Sequence, residues 1–245
     1  MTNKEKILFA KHNFAELYKC EADIWDSNEN VFIESQIMFF RIHTFGKNTV
    51  MFANKQIIGW LLETFKSTPV EDILDTDNRY LINEKLRTFG KKLSGEEMWY
   101  LHFHPEVAAT KPAGGYTYKL YDEDSMNELH AVVKAQDAYS ALTHSVLEDA
   151  DYMLAMAAYD NDLLVSVASC EVDEGEEWRA IGVDTLAGYG GHGLATYLVK
   201  ELALETEKRG KIPCYTTWSG NLASTKVALN TGFRPVWLSH YAKNL

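Results

Sequence analysis

Four glycines fall within six residues at Gly188-Tyr189-Gly190-Gly191-His192-Gly193, between a strand pattern and a helix pattern. Glycine lets backbone approach a ligand closely, and the unpaired N–H groups and dipole of a helix start attract phosphate. A plain strand-to-helix turn does not need so many glycines, so the expected chemistry is phosphate binding by backbone. Gly188, Gly190 and Gly193 also fit the dinucleotide fingerprint GxGxxG. Three features weigh against that reading: the loop lies late in the chain, the next strand ends in Thr216-Thr217 with no acidic ribose ligand, and a hairpin meander precedes it.

Other residues invite separate readings. His102-x-His104 with Glu106 would put two imidazoles on one face of a strand. No third or fourth ligand lies nearby, so no metal is expected and the pair reads as partly exposed strand histidines. Cys214 or Tyr215 would face a ligand from the strand after the loop, with core packing as the alternative for each. His192 would lie near a phosphate or simply in solvent, and Trp218 would wall a pocket or cap the core. Met153 and Met156 read as core.

The chain has 245 residues and a net charge of −11, which argues against a phosphate-backbone partner and mildly favours a small cationic substrate. Apolar residues at 46 % and charged residues at 24 % describe a globular chain with a real core. Cys20, Cys170 and Cys214 show no CxxC spacing, so neither a disulfide framework nor a zinc site is expected. Only four apolar residues, Ile7 to Ala10, precede Lys11, and the longest later run is Leu163 to Cys170. Neither a secretory signal nor a membrane span is expected, and the location read from this is cytoplasmic.

These residues must be positioned by regular elements. Residues 4–25 read as an amphipathic helix, Ile37 to His43 and Thr49 to Ala53 as strands, and Asn54 as the cap of a helix through Phe65. A helix near 80–90 and a strand from Trp99 to Phe103 follow. Lys111-Pro112-Ala113-Gly114-Gly115 marks a boundary, giving domains 1–112 and 113–245. Beyond it come a strand (Tyr116 to Tyr121), helices at about 122–134 and 136–148, and a hairpin turning at Asp160-Asn161-Asp162. A strand from Glu177 to Thr185 leads to the glycine loop and a helix from Leu194 to Lys208. A strand (Ile212 to Thr217), a helix (Leu222 to Asn230) and a last strand from Phe233 complete a mixed α/β pattern.

With these elements in place, Gly182-Val183-Asp184-Thr185 through Gly193-Leu194-Ala195-Thr196 resembles the acyl-CoA loop of the GNAT superfamily of N-acetyltransferases, V-x-T-x-P-E-Y-R-G-x-G-L-A-T. Asn221-x-x-Ser224-x-x-Val227-Ala228-x-x-x-Gly232-Phe233 resembles its second motif, in the right order and at the right separation. The match covers about residues 116–245. The chain as a whole is similar in layout to the branch of zwittermicin A resistance-type acetyltransferases, in which a smaller divergent α/β half precedes the catalytic GNAT fold.

The resemblance implies that acetyl-CoA is a co-substrate and that a primary amine of a small molecule attacks it directly, with no nucleic acid, no membrane and no metal. It leaves a homodimer open. Ile181, Gly182 and Val183 would pair with the pantetheine. Gly190, Gly191, Gly193, Leu194 and Ala195 would cradle the pyrophosphate, and Asn221 would touch the cofactor. Glu177 would be the general base, on a strand where several members carry a catalytic glutamate, unless it only ends the acidic turn before it; Tyr215 is the hydroxyl candidate near the sulfur. The chain departs from the family at Gly190, usually Arg or Gln, at Ala187-Gly188, usually Pro-Glu, and at Ala228, often the Tyr that protonates the thiolate. These departures keep a second class open: a GNAT-like protein that binds CoA or another ligand without catalysis.

Overall fold

The structure is a computed structural model describing residues 1–146, 152–171 and 178–245. The chain divides into two compact units, one of residues 1–99, 218–220 and 236–245, the other of 100–217 and 221–235.

The first unit opens with α1 (Asn3–Tyr18). Its start is a capping box: Thr2 Oγ1 accepts the Glu5 N–H at 3.3 Å and the Glu5 carboxylate accepts the Thr2 N–H at 2.6 Å. The helix expected to reach residue 25 stops at Tyr18. Lys19 turns left-handed at φ 54° and the Cys20 N–H bonds back to the Ala15 carbonyl, a helix-ending geometry. A single 3-10 turn then buries Trp25. β1 (Val31–Glu34), which no alternation announced, pairs in parallel with β3 (Thr49–Ala53), and β3 pairs antiparallel with β2 (Phe40–Thr44). α2 (Ile58–Phe65) and α3 (Thr76–Arg87) bury Leu61, Phe65, Ile82 and Leu86 against Phe40, Ile42 and Met51. Asn54 accepts the Gln56 N–H at 3.1 Å, but α2 itself begins only at Ile58. β4 (Lys91–Leu93) and the far end of β11 (Phe233–Asn244) complete this unit, with β11 antiparallel to both β2 and β4. β5 (Glu97–His102) begins in it.

The second unit carries β6 (Thr117–Asp122), α4 (Met126–Ala135), β7 (Tyr152–Asp160), β8 (Leu163–Glu171) and β9 (Trp178–Thr185). β6 to β9 form an antiparallel meander, turning between β7 and β8 at Asn161, where φ is 52°. α5 (Leu194–Lys208), β10 (Ile212–Trp218) and α6 (Leu222–Asn230) follow, and β10 is parallel to β9. The helix expected at 136–148 is absent up to residue 146. Asp137 is left-handed at φ 51°, and Gln136 is fixed sideways by two bonds to the Leu164 backbone. One 3-10 turn (Tyr139–Ala141) remains. Leu142 and Val146 are still buried in the cluster under α4, which explains the helix-like spacing of apolar residues. No helix among the described residues is long and apolar enough to cross a membrane.

Within the first unit His43 is fully enclosed by Phe14, Tyr18, Trp25 and Phe52, and its Nε2 lies 2.9 Å from the Tyr18 hydroxyl. Burial, aided by the Arg41 charge, holds this imidazole well below its ordinary value. Unfolded chains take up a proton on His43 near pH 6.5 while the folded chain does not, so stability rises with pH in that range and is lost as pH falls below about 6.5. His240 is shifted the same way by burial. Denaturant titrations from pH 7.5 to 5 should show this slope, and His43→Gln should reduce it by roughly one proton; an unchanged slope would contradict the assignment.

Candidate functional site

β9 and β10 pair through four residue partners, Ile212 with Trp178, Pro213 with Arg179, Cys214 with Ala180 and Tyr215 with Ile181. There the ladder ends, although β9 continues to Thr185 and β10 to Trp218. On its other side β9 stays hydrogen-bonded to β8 through Thr185. Ile181 therefore stands at the point where two parallel strands part. The backbone of Gly182, Val183, Asp184 and Thr185 beyond it has no β10 partner among the described residues. A strand edge of this kind offers N–H and C=O groups to an extended ligand.

The glycine loop follows directly. Gly188, Gly191 and Gly193 have φ of 92°, 81° and 82°, conformations that favour glycine. Gly190 has no such φ, and a side chain there would meet nothing within 4 Å. The Tyr189 hydroxyl donates to Asp160 at 3.1 Å, which ties the loop to the β7–β8 turn. Gly193 is the N-cap of α5 and makes no side-chain cap bond. The first-turn N–H groups, including those of Leu194 and Ala195, have no partner within the helix, so the dipole end is open to an anion. The Leu194 side chain is buried and anchors this end, as Leu198 and Leu202 do further along. His192 is exposed.

On β10, Tyr215 is buried, and its hydroxyl lies 2.7 Å from the Ser224 hydroxyl on α6. Burial pushes this phenol up, with the Asp184 carboxylate adding to the effect, so it stays protonated at neutral pH. Ala228, one turn after Ser224, is fully buried. Asn221 caps α6, its Oδ1 accepting the Ser224 N–H at 3.1 Å. Cys214 is buried on the same strand, and Trp218 is largely exposed.

The opposite face of β9 holds a group that the sequence did not reveal. Asp184 accepts the His144 backbone N–H at 2.7 Å and the Ser145 hydroxyl at 3.0 Å, and its Oδ1 lies 3.0 Å from His144 Nδ1. The Ser169 hydroxyl holds the Ser145 carbonyl from β8. The segment lies so close to β9 that a Cβ at Gly182 would overlap the His144 carbonyl oxygen. Asp184 occupies the variable position of V-x-T, and His144 sits in a stretch whose spacing read as helix, so neither carried a signal.

His102 and Met156 both depart from what the sequence suggested. His102 is a core residue, not a partly exposed strand histidine: it is fully buried, Nδ1 lies 3.1 Å from a Glu207 oxygen and Nε2 3.1 Å from the Thr231 carbonyl oxygen. Buried Lys200 on α5 lies 3.3 Å from that imidazole and donates to the carbonyls of His104, Pro105 and Thr231. Burial pulls its ammonium group down from the usual lysine value. His104 pairs with Glu106 in solvent at 2.8 Å. Among the described residues no group of three or more His, Cys, Asp or Glu could hold a metal. The second revision is Met156, only partly buried rather than full core. Glu177 lies outside the described residues.

The family model of GNAT acetyltransferases matches residues 42–237. No curated protein matches the chain. Among solved structures, an N-acetyltransferase-like protein from Streptococcus suis shares the fold at TM-score 0.50 and 18% identity, covering 95% of this chain and 98% of that one. A GNAT-family protein from Novosphingobium aromaticivorans matches at TM-score 0.43 and 15% identity over 62% of this chain, and the match spans 66% of that chain, just under two thirds. A Salmonella typhimurium protein solved with its cofactor acetyl-CoA matches at TM-score 0.36 and 15% identity, over 54% of this chain and 95% of that one.

The two kinds of glycine at this site should respond differently to substitution. Gly182→Ala forces a methyl group against a backbone carbonyl and should destabilise the protein by roughly 2–4 kcal/mol. Gly190→Ala enters open space at an ordinary φ and should change stability by no more than about 0.5 kcal/mol. Urea denaturation of both variants checks this, and equal effects would contradict the packing described for Gly182.

Proposed function

The chain belongs to the GNAT acetyltransferase family, and from that premise we propose that it moves the acetyl group of acetyl-CoA to a primary amine of a small molecule by direct attack. One observation carries the reading: two parallel strands that part at Ile181 and Tyr215, with β9 running straight into a glycine loop and an open helix start. The edge of Ile181, Gly182 and Val183 suits the pantetheine arm. The backbone of Gly190, Gly191 and Gly193 with the first amides of α5, at Leu194 and Ala195, suits the pyrophosphate. Asn221 uses its carbonyl oxygen for the α6 cap, leaving its NH2 group to meet the cofactor.

In the reaction the amine nitrogen bonds to the thioester carbon, charge builds on the carbonyl oxygen, and the C–S bond breaks as that charge collapses. The thiolate needs a proton. Ala228 has none to give, and Tyr215 is our candidate donor, a protonated phenol bonded to the same face of α6 through Ser224. Glu177 is the base suggested by its place on the strand. The catalytic machinery so assigned lies within residues 113–245, and the two-part layout is the one resembling zwittermicin A resistance-type enzymes. A cytoplasmic location suits this reaction, as does a cationic acceptor for a chain of net charge −11. The missing side chains at Gly190 and Ala228 favour a second reading, a protein that holds CoA without transferring its acyl group.

Calorimetry should show acetyl-CoA binding at about micromolar strength and no binding of NAD; no binding of either would overturn the cofactor assignment. With an amine acceptor, Tyr215→Phe should lower kcat about 10- to 100-fold while leaving acetyl-CoA affinity within twofold. An unchanged kcat would remove Tyr215 from the mechanism, and acetyl-CoA binding with no thiol release from any amine would favour the second reading.

A further inference from the structure

His144 is an exposed side chain held by a shielded one: its exposure is 76% against 14% for Asp184. The pair is not needed to secure the segment. Asp184 already holds it through the His144 N–H and the Ser145 hydroxyl, Ser169 holds the Ser145 carbonyl, and Gly182 lets the backbone settle on β9. An exposed imidazole–carboxylate contact adds little to stability. It does fix the ring. In the neutral ring, donation of Nδ1–H to the Asp184 carboxylate, with the Thr143 hydroxyl also 3.2 Å from that nitrogen, leaves the lone pair on Nε2. Ser145 donates to Asp184 and not to the imidazole, so the trio is not arranged for a serine nucleophile.

The position of this ring is as telling as its orientation. The His144 carbonyl oxygen lies over Gly182 and its partner is Asp184, both in the stretch of β9 beyond the last β10 pair. Of the described groups around it, Asp184 is the charged one on β9, Tyr215 is the titratable one on β10 that feels the Asp184 charge, and Thr143, Ser145 and Ser169 are neutral.

We propose that His144 is the general base of the acetyl transfer and that Asp184 is its positioning residue. The inference rests on the acetyl-transfer reading and replaces Glu177 as the group that takes the amine's proton. His144 Nε2 takes a proton from the bound ammonium group, directly or through one water, and the freed nitrogen lone pair attacks the thioester carbon. The C–S bond then breaks and the thiolate takes a proton from Tyr215; the acylated nitrogen and the imidazolium each release a proton, one restoring Tyr215 and the other passing to solvent.

The test is the pH dependence of thiol release with a primary alkylamine, for wild type, His144→Gln, Asp184→Asn and Glu177→Gln, with acetyl-CoA affinity measured by calorimetry on each. His144→Gln should lower kcat about 100-fold at pH 7 with acetyl-CoA affinity within twofold. The deficit should narrow to within about fivefold at pH values where the free amine dominates and needs no base. Asp184→Asn should show a smaller loss with the same recovery. A loss equal at every pH would mark a structural role and overturn the proposal, as would an unchanged His144→Gln rate, or a pH limb lost in Glu177→Gln but kept in His144→Gln. Wild type that binds acetyl-CoA yet acetylates no amine would instead overturn the proposed function, and this inference with it.

Discussion

β9 has two neighbours, and among the described residues β10 holds it from Trp178 to Ile181 and β8 from Ile181 to Thr185. Its antiparallel bonds to β8 persist to Thr185, while its parallel bonds to β10 end at Ile181. A parallel pair needs a long crossover, here the glycine loop and α5, and that crossover begins where the strands have already parted. The unpaired edge, the glycine loop and the α5 start therefore follow one another along a single stretch of chain. The side chains on either face of β9 are distributed by simple alternation. Gly182 and Asp184 meet the 142–146 segment, and Ser166 with Thr185 marks the other side through a 2.8 Å hydroxyl contact.

The electrostatics of the site run against the charge of the molecule. A chain of net charge −11 is expected to hold a pyrophosphate, yet from Ala180 to Val199 the sequence has no Lys or Arg. On the proposed reading, attraction there would come from backbone dipoles, which are fixed in place and need no side-chain ordering. The buried cation of α5, Lys200, is turned inward to three backbone carbonyls and to His102, where it joins the end of α6 to residues 104 and 105. Its role is to hold the segments around the site together.

Where the sequence was informative, local chemistry and tertiary packing agreed. α5 and α6 have the limits expected from the sequence, and the glycines at 188, 191 and 193 adopt the conformations that make glycine useful there. Where it misled, a contact distant in sequence had overridden a local pattern. The apolar spacing of 136–148 comes from Leu142 and Val146 packing under α4, while Gln136 and Asp184 pull the backbone out of a helix. His102 looked surface-bound because alternation cannot show that Lys200 and Glu207 enclose it. His144 and Asp184 lie 40 residues apart, and no spacing rule joins them.

The space around the loop glycines bears on which positions can accept a side chain: Gly188 and Gly191 are held to glycine by their φ, while Gly190 is not. At Gly190, where φ is ordinary and a Cβ would meet nothing within 4 Å, a side chain can be gained or lost at little steric cost. Gly182 has no such freedom, since its neighbour is a carbonyl oxygen. Within one short stretch of chain, then, the strand position at 182 tolerates less change than the loop position at 190.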